Sequence, residues 1–130
     1  MDDMPNHGET SRIRFIEHKG KSILLQDFSN LKPGKEFYDG VQAARQIIAA
    51  QPPKSVLTLF DATNSEFDAD VVLTLKKFVQ LNTPFMKYTA VVGMTGLKRV
   101  GLMAVTRAAK RPLKPFDTRE EALEFLADLA

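Results

Sequence analysis

From residue 13 onward, short β-rich runs alternate with longer segments whose apolar residues recur every three or four positions. Residues 13–17 and 21–28 flank Lys19-Gly20, which predicts a hairpin. Phe37, Val41, Ala44 and Ile48 form one stripe and predict a helix over 35–50, ended by Pro52-Pro53. Residues 56–60 are a nearly continuous apolar run, the pattern of a strand buried on both faces. A second helix is predicted over 70–81, with Val71, Leu75, Phe78 and Val79 inward and Asp68 as N-cap. Asn82-Thr83-Pro84 stops it, and residues 88–93 read as another buried strand.

A third helix is expected from Thr95-Gly96 to Ala109. A helical wheel collects Leu97, Val100, Gly101, Ala104, Val105 and Ala108 on its inward side. Gly101 weakens a helix, which predicts a tight contact there. Residues 113–116 make a short edge strand, since Pro115 cannot donate to a ladder. Thr118 and Glu121 have the spacing of a capping box opening a last helix. The order implies an α/β sandwich: an initial β-hairpin, then a four- to five-stranded mixed sheet with about four helices. Residues 12–130 read as one domain, and the polar residues 1–11 as a disordered tail.

Composition narrows the chemistry. The chain has 130 residues, 44% hydrophobic and 26% charged, within the range of ordinary globular domains. It has no cysteine, so thiolate nucleophiles, Cys-based zinc sites and disulfides are excluded. No secretory signal pattern or long apolar run is present, and the expected compartment is the cytoplasm.

Three segments resemble the STAS-like (SpoIIAA-like) family of anti-sigma-factor antagonists, in an uncharacterised bacterial branch. They are the apolar strand ending in Asp61 with its loop and helix, the run Ala90-Val91-Val92-Gly93-Met94-Thr95-Gly96-Leu97-Lys98-Arg99, and Phe116-Asp117-Thr118-Arg119-Glu120-Glu121. The resemblance implies a non-enzymatic regulatory module that binds a protein partner through the 61–70 loop and the N-terminal turns of the second and third helices. Asp61, Ser65, Phe67, Asp68 and Asp70 are the partner-binding candidates, with Phe67 as the exposed apolar anchor. Characterised antagonists carry a phosphorylatable serine at the start of the helix. The matching stretch here, Asp68-Ala69-Asp70-Val71, has neither Ser nor Thr, so the usual switch residue is missing.

Charge supplies the alternative. The net +2 hides a segment from Val71 to Phe116 without Asp or Glu, carrying nine Lys and Arg residues. Such a stretch suits an anionic small ligand or a lipid head group; equally, it describes solvated outer helix faces. On the wheel Met103 falls among these bases, which predicts its exposure. Gly93, Thr95, Gly96, Lys98 and Arg99 at the third helix's start are the anion-binding candidates. No P-loop or Rossmann fingerprint occurs, and a nucleic-acid partner is not expected. His7 and His18 are read as solvated and offer no credible triad. Asp61, Glu66, Asp68 and Asp70 could hold a hard cation, but turns and caps explain them more simply, so neither metal nor cofactor is expected. A homodimer is compatible with all of this.

Overall fold

The expected alternation is realised in a computed structural model that describes residues 8–129. β1 (Ile13–His18) and β2 (Lys21–Asp27) form the hairpin, followed by α1 (Lys35–Ala49), β3 (Val56–Asp61) and α2 (Ala69–Asn82). A short 3-10 turn, Thr83–Phe85, leads into β4 (Met86–Val92), then α3 (Leu97–Ala109), β5 (Leu113–Phe116) and α4 (Arg119–Ala127). The sheet order is β1-β2-β3-β4-β5, antiparallel in the hairpin and parallel thereafter.

The period of two along the strands divides the core into two layers. Leu24, Val56, Phe60 and Val91 face α1, α2 and α3. Ile23, Leu25, Leu57, Leu59, Ala90 and Val92 face α4 alone. Every position of β3 is buried, as its apolar run predicts for a central parallel strand. No helix among the described residues is long and apolar enough to cross a membrane.

Local signals hold at most element ends. The Asp68 carboxylate accepts from the Val71 backbone N–H at 2.8 Å and starts α2. The Thr118 hydroxyl accepts from the Glu121 N–H at 3.2 Å. The other half of the expected box differs: the Glu121 carboxylate accepts from the Thr118 hydroxyl rather than from its backbone N–H. Residues 1–7 of the expected tail lie outside the described residues. Just after them, the Glu9 carboxylate accepts from the Phe15 N–H at 2.8 Å and the Thr10 hydroxyl from the Ile13 N–H at 3.0 Å, so these residues rest on β1.

The inward face of α3 differs from the wheel. Leu102, Val105 and Ala109 enter the core. Leu97 and Val100 are instead 90% and 66% exposed. Apolar residues occupy so much of this helix that periodicity alone selects no single face. Gly101 and Ala104 border α2, and a Cβ on Gly101 would stand 3.3 Å from the Val72 side chain. Beyond that contact, Leu97 and Val100 project past α2 into solvent.

Candidate functional site

Two neighbouring strands end on aspartates at paired register, Asp27 and Asp61. Each carboxylate closes a local turn. Asp27 accepts from the Ser29 N–H at 3.0 Å and hydroxyl at 2.5 Å. Asp61 accepts from the Thr63 N–H at 2.9 Å and hydroxyl at 2.6 Å. Arg119, arriving on α4, donates to Asp61 at 2.5 Å and lies 3.1 Å from Asp27. Arg12 adds bonds to the Asp27 and Ser29 carbonyls, both at 3.0 Å.

Burial would push the Asp27 carboxyl up, but the Ser29 bonds and then Arg119 outweigh it and hold the carboxyl below its ordinary value. Bonded in this way, the two carboxylates and Arg119 form a clamp that ties the ends of β2 and β3 to α4. Asp27, Arg12 and Arg119 were absent from the sequence candidates. The legible signal was the repeated Asp-x-Ser/Thr at two strand ends, Asp27-Phe28-Ser29 and Asp61-Ala62-Thr63.

Of the remaining loop candidates, Ser65, Phe67 and Asp68 border one open groove between α2 and α3, and Asp70 does not. Ser65 is buried, its hydroxyl donating to the Ala62 carbonyl at 2.6 Å. Asp68 is the α2 cap, while Asp70 is exposed in the first turn. Among the described residues, no group of three or more His, Asp or Glu is placed to hold a metal ion. Phe67 is partly buried where full exposure was expected: its ring stands edge-on to Phe37 at 6.1 Å and packs on the core, and it also borders the groove between α2 and α3. His18 departs from its solvated reading as well, since its Nε2 lies 3.0 Å from the Glu124 carboxylate; His7 lies outside the described residues.

Of the anion candidates, Thr95 and Lys98 border that groove too, and Gly93, Gly96 and Arg99 do not. Gly93 has φ +81°, and a Cβ there would stand 2.3 Å from the Thr63 backbone nitrogen, so glycine is required by loop-to-loop packing. The Lys98 ammonium donates to the Ala62 carbonyl at 2.6 Å. Burial pushes Lys98 below its ordinary pKa, with Asp61 opposing. Thr95, Gly96 and Arg99 are exposed. Gly96 occupies the α3 N-cap without a capping side chain, and no acid lies in the first turn.

Between α2 and α3 runs an open groove. Ala69, Gly101 and Ala104 lie along it with Leu73, Leu97 and Val100. Leu73 is 61% exposed, and Met103, farther along the outer face of α3, is 60% exposed as expected. Beneath the same helices, against the sheet, lies a void of about 40 Å³ walled mainly by apolar side chains. Gln26 and Asn82 border it, each 2% exposed and each with a side-chain carbonyl oxygen lacking a partner. Arg111 also borders the void, donating to the Thr83 and Thr89 hydroxyls at 3.1 and 2.8 Å. Burial pushes its pKa down to about 10. No family model, curated protein or solved structure matches this chain.

Proposed function

We propose that this chain is a binding module, related to the STAS-like regulators, that docks a protein partner along the α2–α3 groove. The observation that carries the reading is the exposure of Leu97, Val100 and Leu73 side by side on two adjoining helices. Large apolar side chains gathered in one open groove mark interaction surfaces more often than scattered single ones do. The Asp27 and Asp61 carboxylates are engaged by Arg119, Ser29 and Thr63 in holding strand ends and α4 together, so the docking reading rests on the groove. Ser65, Phe67 and Asp68 of the loop that the resemblance singles out border the same groove. With no serine at the start of α2, the reading includes no phosphorylation switch.

Site-specific photo-cross-linking tests it. A photoreactive residue at position 97 should give a discrete adduct in lysate of the source cells. The same residue at exposed position 81, outside the groove, should not. The added variant Val100→Glu should abolish the adduct. Identical adduct patterns from both positions would count against the groove.

A further inference from the structure

A second groove lies on the other side of α2, between it and α1, with a volume of about 400 Å³. Val41, Phe78 and Leu81 give it an apolar floor. Six polar side chains border it: Tyr38, Gln42, Arg45 and Gln46 from α1, and Thr74 and Lys77 from α2. None of the six makes a side-chain hydrogen bond or ion pair with another described residue.

The charge of this groove is one-sided. Arg45 and Lys77 are its charged residues, and no described Asp or Glu lines it. Asp39, the acid of α1 closest in sequence to Arg45, is held by Lys35 at 2.6 Å. Asp70, in the first turn of α2, stands outside the lining.

Arg45 carries the sharper signal. Its guanidinium carbon lies 5.8 Å from the centre of the Phe85 ring, and its Nη1 is buried without a hydrogen-bond partner. An unsatisfied buried donor is costly, and more so on a charged group. The side chain as a whole is half-exposed and has no other polar bond, so a rotation about its outer bonds turns the unsatisfied end into the groove. A guanidinium presents paired N–H donors that match the two oxygens of a carboxylate or phosphate.

We propose that the α1–α2 groove binds a small amphipathic organic anion, its carboxylate or phosphate head on Arg45 and Lys77 and its apolar body on Val41, Phe78 and Leu81. The hydroxyls of Tyr38 and Thr74 and the amides of Gln42 and Gln46 supply further hydrogen bonds to the head. The groove has the size of a small-molecule site and combines apolar walls with a few convergent polar groups. It is separate from the α2–α3 docking groove and does not depend on that reading.

Amide chemical-shift titration of the purified protein with phenyl phosphate and with benzoate, at millimolar concentrations, tests this. Saturable shifts should centre on residues 38–46 and 74–81. The tighter of the two anions identifies the head as phosphate or carboxylate. Benzyl alcohol, which lacks the charge, and inorganic phosphate, which lacks the apolar body, should each bind roughly tenfold more weakly. Arg45→Gln should weaken binding roughly tenfold, and exposed Lys77→Gln should weaken it less. Gln46→Glu keeps Arg45 and adds a competing carboxylate, so it should weaken binding as well. Lys76→Gln, on the wall of the other groove, should leave it unchanged. Urea midpoints separate lost binding from lost folding; if Arg45→Gln lowers the midpoint, Gln46→Glu decides. Equal affinity for benzyl alcohol or inorganic phosphate would overturn the amphipathic anion. So would shifts centred on α3, binding that survives both Arg45→Gln and Gln46→Glu, or no saturable shift with either anion.

Discussion

Arg119 places its Nε 2.5 Å from Oδ2 of Asp61, a residue 58 positions earlier in the chain. The bond joins α4, the single helix on its face of the sheet, to the end of the central strand β3. The Asp61 side chain is only 6% exposed, so without Arg119 it would be a buried charge lacking its counterion. Arg119→Met should therefore cost about 2 kcal/mol. A lower urea midpoint with an unchanged slope is the expected signature.

The same clamp sets the acid response. Asp27 has its folded pKa held below the ordinary value of 3.8. A depressed carboxylate contributes stability above its unfolded pKa and loses that contribution as pH falls through the folded one. Urea midpoints should thus change little from neutral down to about pH 5 on Asp27's account and drop below about pH 4. Arg119→Met, which removes one cause of the depression, should flatten that drop. A series of midpoints against pH for both proteins checks the slope.

Two glycines in the β4–α3 connection should respond differently. A Cβ at Gly93 meets the Thr63 backbone, whereas one at Gly96 meets nothing within 4 Å, although both have positive φ. Gly93→Ala should cost roughly 3 kcal/mol or more, from steric overlap added to backbone strain. Gly96→Ala should cost about 1 kcal/mol, from strain alone. Thermal denaturation of the two variants gives the comparison directly.

Asn82 has an unpartnered buried carbonyl oxygen beside the 40 Å³ void. Asn82→Leu keeps the branched shape, adds apolar volume beside the void and removes a desolvated polar group. It should raise stability by about 1 kcal/mol. A fall in the urea midpoint instead would mean that the amide is hydrogen-bonded in solution through water in the void.

Much of the architecture was legible because local punctuation was strong. Pro52-Pro53 and Pro84 mark helix ends, Asp68 and Thr118 start helices, and the apolar run of β3 identifies a central strand. The candidate site was less legible. α3 borders both the sheet and α2, and its apolar residues cover most of the wheel, so the exposure of Leu97 and Val100 depends on tertiary packing. The Arg119–Asp61 contact spans too much sequence for any local pattern to reveal it. Phe67 sits in a polar loop, which suggests exposure, yet its ring packs against Phe37. Phe67→Ala should accordingly destabilise the protein by about 2 kcal/mol. A denaturant midpoint unchanged from the parent protein would contradict this packing role.

The sheet order β1-β2-β3-β4-β5 makes each strand the spatial neighbour of the one made before it. No strand waits for a partner from a distant part of the chain, so each closure spans only one helix and its loops. During synthesis the hairpin can form first and each later strand can dock on a finished edge. α4 comes last, and its Arg119 completes the clamp only after both aspartate-ended strands are in place. The Arg119–Asp61 contact thus ties α4 across a sheet whose strands otherwise pair in chain order.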